Sequence, residues 1–448
     1  MIIGLFKVDK KLILWIVVLS LGAAAVLLFT EWNTDFVYYD MLFFDNYAIA
    51  FSILLIFVTI LIFLLSENYF SNIKTYQTEH YSLFVFALVG MISIVSFDHL
   101  AMLFIGIEIM SICLYILAGS DKKNLHSNEA SLKYFLMGAF ATGLLLMGIT
   151  MIYGATGSFH LDQISDSLAN NNYMVKDPIF LIGLILMLAG LAFKVSAAPF
   201  HFWTPDVYQG SPTLVTAFMG TAVKVAGFGG FLRLFYYGFL NASEIWINIV
   251  AVMAVATIII GSISAVFQTN VKRILAYSSI SHAGYMLVVF LTAGENTGNA
   301  MFFYAIAYSI SSIVAFSIFM AVQKVTQSEE VDSFNGFAKS NPFLAFVMAL
   351  AMISLAGIPL TGGFFAKFYI LYQAMEAGYL WIVIIAIINA IVGMYYYFKI
   401  IIAMYFKEGD SIALMGVSTS GLYKVVLVVC SLITLQLGLF PDLIYNLF

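Results

Sequence analysis

Long apolar blocks alternate with short polar stretches along the whole chain. A helix needs about 20 mainly apolar residues to cross the hydrocarbon core of a bilayer. On that measure the pattern predicts spanning helices near 12–30, 46–66, 81–97, 99–118, 131–153, 179–198, 211–236, 243–268, 273–292, 299–323, 343–370, 379–404 and 421–440, about thirteen in all. The longest connections, 154–178 and 324–342, are too short for a soluble domain. The expected fold class is therefore all-α, a polytopic transmembrane helical bundle. Lys7, Lys10 and Lys11 precede the first block as in a signal peptide. No small-residue cleavage site closes it, so a retained first helix is expected.

The basic residues orient this layout. With the N-terminus in the cytoplasm, the inner loops hold Lys74, Lys122, Lys123, Lys272, Arg273, Lys324, Lys339 and Lys407, with Lys399 and Lys424 at inner helix ends. The outer side holds only Lys176 and Arg233, beside Glu31, Asp35, Asp40 and Asp45. Cytoplasmic enrichment of Lys and Arg is the expected bias, and it puts the C-terminus outside.

Composition agrees. The 448 residues are 62% hydrophobic and 10% charged, against about 45–50% and roughly 25% in a soluble domain. Aromatic residues make up 16%, which suits lipid-facing and interfacial positions. A net charge of -5 argues against nucleic acid as a partner. Cys113 and Cys430 lie in apolar runs without redox or ligand spacing and read as small buried hydrophobes. No metal-ligand pattern and no phosphate-binding glycine loop is present.

A few charges stand where lipid should forbid them. Lys133, Lys194, Lys224, Lys367 and Glu108 all fall inside predicted spans. Each costs about 2.5–3.5 kcal/mol at a helix centre, so partners or water must offset it. All four bases are lysine, which can release its proton, whereas arginine stays charged. Lys133 lies only a few residues inside its helix and can also be read as snorkelling to the cytoplasmic surface. Glu108 can also be read as half of a structural ion pair.

Lys194 and Lys367 share a further signal. Pro199, Pro205 and Pro212 follow the first; Gly357, Pro359, Gly362 and Gly363 precede the second. Proline removes a backbone donor and glycine loosens a helix. Two interrupted helices, one in each half, point to an inverted-repeat transporter; simple kinks are the plainer alternative. His201 sits beside the first interruption and His282 in the hydroxyl-rich stretch YSSISHAGYM. Both suit proton relay, since histidine titrates near neutrality, and a hydrogen-bonded structural role fits either equally well. His99, next to Asp98, reads as interfacial. The 324–342 loop, with Glu329, Glu330 and Asp332, reads as a solvated connection rather than a partner contact.

Several segments carry a family resemblance. FKVSAAPFHFWTPDVYQGSPTLVTAF, QTNVKRILAYSSISHAGYM, SLAGIPLTGGFFAKFYIL, MYYYFKI, GIEIMSICLYILAG, SNEASLKYFLMGAF and MIYGATGSF resemble the antiporter-like membrane subunits of bacterial NADH–quinone oxidoreductase (respiratory complex I). HFWTPDVYQGSP and the lysine at 367 resemble the N type rather than the M type. The resemblance implies two inverted repeats of five helices, 81–236 and 243–404, each with one broken helix. They would be preceded by N-terminal helices in 1–80 and followed by a C-terminal helix in 405–448. It implies a proton path through Glu108, Lys133, Lys194, Lys224, His201, His282 and Lys367, with Glu108 and Lys194 as a pair on neighbouring helices. Glu129 matches a family acid near the surface. Relatives usually have fourteen helices, and the pattern here lacks a counterpart of the first.

The implied setting is the bacterial inner (plasma) membrane. The implied partners are the lipid bilayer and the other membrane subunits, sister antiporter-like subunits included. NADH, FMN, iron–sulfur clusters and quinone are then expected in other subunits, with no cofactor, redox centre or metal in this chain. A cation/proton antiporter subunit is the alternative, because the membrane signals alone fit it equally well.

Overall fold

Lipid offers no hydrogen-bond partners, so spanning segments satisfy their backbone within themselves as helix. The computed structural model describes residues 10–70, 77–170, 173–292, 296–409, 414, 416–417, 419–445 and 447. Lys7, Lys74 and the Lys10 side chain, used above to orient the chain, lie outside the described residues. The helices are α1 (Lys10–Thr30), α2 (Asn46–Phe70), α3 (Gln77–Ser96), α4 (Leu100–Ala118), α5 (Leu125–Thr156), α6 (Leu161–Asn170), α7 (Pro178–Val195), α8 (Thr204–Gly210) and α9 (Thr213–Gly220). They continue as α10 (Ala222–Arg233), α11 (Ser243–Val266), α12 (Val271–Val288), α13 (Thr297–Thr326), α14 (Phe337–Ser340), α15 (Pro342–Ala356), α16 (Gly362–Glu376), α17 (Leu380–Phe406) and α18 (Gly421–Leu439). A small hairpin, β1 (Phe36–Tyr38) and β2 (Leu42–Phe44), pairs antiparallel with Phe36 opposite Phe44.

Twelve helices among the described residues are long and apolar enough to cross a membrane. The remaining expected span, 343–370, is present as α15 and α16 on either side of a non-helical turn. The largest difference at a helix start is in α5, which begins at Leu125 rather than near 131. Its polar first turns lie outside the apolar block, but Asn124 caps them, its side chain accepting from His126 N at 3.0 Å. A cap of this kind satisfies a donor that the first turn leaves open.

α1 is the least buried of the twelve spans, whereas Thr213–Gly238, α12 and α13 are almost wholly buried. The centre of the bundle is thus built from α9, α10, α12 and α13, which carry the buried Lys224 and His282. Basic side chains gather at one end. There Lys407 pairs with Asp332 at 3.1 Å, Lys399 donates to Gln268 O at 2.7 Å, and Asn270 bridges Glu330.

The opposite end carries the hairpin and Arg233. The sequence places Arg233 at an outer helix end, but it is 1% exposed, because the hairpin and the α3–α4 turn close over it. Its guanidinium donates to Phe97 O at 2.7 Å, Phe43 O at 3.0 Å and Asp45 Oδ1 at 3.1 Å. His99, expected at the interface, caps α4, its Nδ1 accepting from Ala101 N at 3.2 Å. α18 presses against the turn between α15 and α16, so closely that a side chain at Gly438 would overlap the Leu360 carbonyl.

Candidate functional site

Three lysines lie deep in the bundle: Lys194, Lys224 and Lys367 are 4%, 0% and 9% exposed. Each stands within a few residues of a helix discontinuity. α7 stops at Val195, and Ser196 takes a left-handed conformation, φ 63°. α9 and α10 meet at Thr221, three residues before Lys224. α15 stops at Ala356, and Gly357 has φ +83°. The C-terminal end of a helix leaves carbonyls unpaired and carries partial negative charge, so a buried cation beside it, as at the ends of α7 and α15, is better accommodated than at mid-helix.

Lys367 shows this directly. Its Nζ donates to Leu355 O at 3.1 Å and Ala356 O at 2.8 Å, the last carbonyls of α15. The Tyr285 ring lies beneath it at 5.0 Å. Gly357 leaves room for this arrangement, since a Cβ there would stand 2.8 Å from Lys367 Cδ.

Lys194 donates to Ser111 Oγ at 2.8 Å. Ser111 lies on α4 one turn beyond Glu108, which is half-buried. Glu108 thus lies one turn from the serine that Lys194 touches. The group in contact, however, is the serine. Burying an amine requires a hydrogen-bond acceptor, and the hydroxyl supplies one.

Lys224 donates to Ser279 O on α12. α12 carries a polar stripe through the centre. Tyr308 OH donates to Ser279 Oγ at 2.9 Å, Ser278 Oγ pairs with Tyr397 OH, and Ser262 Oγ pairs with Ser281 Oγ at 3.0 Å. His282 bonds Tyr304 OH through Nδ1 at 2.7 Å and Tyr397 OH through Nε2 at 3.1 Å. Beside it a void of about 10 Å³ is lined by Tyr304, Ser311, Ser354 and Gly363, at the lower limit for one water molecule.

Lys133 is not part of this buried group. Its side chain is 39% exposed and ion-pairs with Glu129 at 2.8 Å and Asp206 at 2.9 Å. It lines a cavity of about 970 Å³ together with Asp206, Gln209, Lys272, Gln323 and Glu329. The cavity opens at the basic end of the bundle, where Lys133 reaches it from the first turns of α5. His201 lies in the turn after Pro199, half-buried, with its Nδ1 unpaired among the described residues. No hydrogen bond joins it to the lysines among the described residues.

Two loop assignments need correction. Lys272 is 3% exposed rather than solvated. It is the second residue of α12, and its Nζ is held by Gln209 O at 3.0 Å, Ser211 O at 2.8 Å and Glu329 Oε1 at 3.3 Å. The 324–342 stretch is correspondingly more than a solvated connection. Glu329 turns inward to Lys272, Asn270 Nδ2 (3.0 Å) and Gln323 Nε2 (2.9 Å). Sequence reasoning also passed over Asp206, Ser111 and Tyr304. Ser111 was signalled by its helical spacing from Glu108, and Asp206 by a charge between two prolines in an otherwise apolar run. Nothing local marks Tyr304.

Comparison with known proteins follows the same lines. The family described as NADH:quinone oxidoreductase/Mrp antiporter, TM, matches residues 96–393. The NADH-quinone oxidoreductase subunit N of Cytophaga hutchinsonii is 44% identical over 98% of this chain and 94% of its own length. That of Flavobacterium johnsoniae is 41% identical over 98% and 95%. A chain of respiratory complex I from Thermus thermophilus superposes with a TM-score of 0.83 at 29% identity, covering 99% of this chain and 95% of its own. One from the Mrp complex of Dietzia sp. shares the fold, with a TM-score of 0.86 at 20% identity over 100% and 93%. The chain is a multi-pass membrane protein that belongs to the NADH-quinone oxidoreductase subunit N family, within the NADH:quinone oxidoreductase/Mrp antiporter group of membrane-complex subunits.

Proposed function

We propose that this chain conducts protons across a bacterial inner (plasma) membrane as a membrane-arm subunit of NADH–quinone oxidoreductase, driven by quinone reduction elsewhere in the complex. The observation that carries this reading is the set of buried lysines at helix discontinuities, together with the hydroxyls and His282 along α12. The basic end, with the cavity, faces the cytoplasm; the hairpin and the C-terminus face the periplasm. The two inverted repeats are 81–236 and 243–404, with the interrupted helices α7–α8 and α15–α16 in corresponding places. NADH, FMN, iron–sulfur clusters and quinone belong to other subunits, and no redox centre or metal is assigned to this chain.

Protons enter through the cavity at Lys133. The Glu108 carboxylate favours the ammonium form of Lys194 while the two are close; when they part, Lys194 gives up its proton. The proton then protonates the Lys224 amine through water, passes by His282 to Lys367, and leaves outward. Histidine with one hydroxyl partner on each ring nitrogen can accept a proton on one side and donate from the other. Sister subunits in the arm would drive the parting of Glu108 and Lys194.

The test is Lys224→Ala in the assembled complex, comparing proton uptake with NADH oxidation in inverted vesicles. A fall in protons per electron supports the path, whereas an unchanged ratio and rate removes Lys224 from it. Sodium-dependent pH changes without respiratory substrate would instead favour the antiporter reading. Co-purification with flavin, iron–sulfur clusters and further subunits would oppose it.

A further inference from the structure

We propose that Asp206 is a positioning residue that holds the entrance between the cytoplasmic cavity and Lys194 shut, by clasping cations from two different helices. The proposal deepens the proton-path reading and rests on it for its purpose.

α8 is a seven-residue helix between the first interruption and α9. A helix this short has too few backbone bonds to hold itself, so side chains must fix its position. Its first turn is tied to the interruption: Trp203 Nε1 donates to Phe193 O at 3.1 Å, and Thr204 Oγ1 donates to Ser196 Oγ at 2.8 Å. Phe193 and Ser196 flank Lys194. Its last turn is gripped by the start of α12, where Lys272 Nζ holds Gln209 O and Ser211 O and Arg273 Nη1 reaches Gln209 Oε1 at 2.9 Å.

Asp206 stands between these anchors. Its Oδ2 accepts from Lys133 Nζ of α5 at 2.9 Å, and its Oδ1 accepts from Arg273 Nη1 of α12 at 3.1 Å. The cavity reaches Asp206, Gln209 and Ser211, Lys194 is buried, and α8 connects the two through the ties of Trp203 and Thr204 to Phe193 and Ser196. Lys133 has a second carboxylate available, Glu129 at 2.8 Å. When Lys133 turns wholly to Glu129, Asp206 loses one of its two cations. α8 can then shift, and the shift is transmitted to the residues on either side of Lys194.

The test uses the assembled complex in inverted vesicles, in an Ala197→Cys background, a buried position beside Ser196. The labelling rate at position 197 is read with a membrane-impermeant thiol reagent; the buried native cysteines give the blank in the parent. Asp206→Asn should raise labelling about tenfold, the scale of a coupling near the low end of the usual range, and Asp206→Glu should return it to near the starting rate. Equal labelling in Asp206→Asn and the background, in complex of normal abundance, overturns the proposal. Should Asp206→Asn fail to assemble, Arg273→Gln is labelled in its place and the same two outcomes decide. Proton uptake in Lys224→Ala is measured alongside. If that variant pumps normally, the proton path fails, while the labelling still decides the role of Asp206.

Discussion

Gly357 offers the sharpest test of how the second interruption serves Lys367. Alanine there meets two obstacles. The first is backbone: φ is +83°, and a left-handed conformation costs an L-residue about 1–2 kcal/mol. The second is the new methyl group, 2.8 Å from Lys367 Cδ and 3.1 Å from Nζ, which forces the lysine off the Leu355 and Ala356 carbonyls. Loss of even one charged hydrogen bond is worth about 1.5–3 kcal/mol, or roughly 10- to 150-fold in the population that keeps Lys367 in place. Gly378 separates the two effects. Its φ is +88°, and a Cβ there meets nothing within 4 Å, so Gly378→Ala carries the backbone cost alone. The assay is protons taken up per NADH oxidised in inverted vesicles, with assembled complex quantified on native gels. Gly378→Ala should keep the parental ratio, and Gly357→Ala should lose most of it. Equal ratios in the two variants would refute the claim that the turn positions Lys367.

Other perturbations follow from the same geometry. Ser111→Ala takes the hydroxyl acceptor from the buried Lys194 amine, a cost of about 1–3 kcal/mol. It should slow proton uptake, and Ser111→Thr should restore it. Arg233→Met removes the ion pair to Asp45 and the donor to three carbonyls, those of Phe97, Phe43 and Val95; breaking a buried pair costs about 3–5 kcal/mol, so assembled complex should fall sharply on native gels. Arg233→Lys should rescue it poorly, because one ammonium cannot match the guanidinium fork. At the cytoplasmic surface, the hydrogen bond from Lys407 holds the Asp332 carboxyl below the usual range. Its folded value is the lower one, so the pair stabilises above the unfolded carboxylate range and is lost as pH falls through the folded value. Because Asp332 is 75% exposed, Asp332→Asn should change thermal inactivation at pH 7 by only about 0.2–1 kcal/mol.

The spans and two of the three discontinuities were legible in the sequence, because prolines and glycines crowd the residues near Lys194 and Lys367. The third was not. Gly220 precedes it, but the break depends on the Thr221 backbone, φ −119° and ψ −84°, which no local composition announces. The lysines at 194, 224 and 367 were found as charges without water, and they are buried. Lys272 and Arg233 were misjudged because position relative to a helix end says nothing about what folds over it. In one case this is α8 and the Glu329 loop; in the other it is the hairpin. Asp206 escaped for a related reason. Its importance comes from α5 and α12 converging on it, a tertiary fact 67 and 73 residues away in sequence.

The contact between α18 and the second interruption has a consequence for divergence among relatives. Two backbones touch where Gly438 meets Leu360, so neither position is free to drift by itself. A larger residue at 438 demands a reshaped loop around 358–361, and an altered loop demands a different partner at 438. The two sites should therefore change together across related sequences, even though nearly eighty positions part them along the chain.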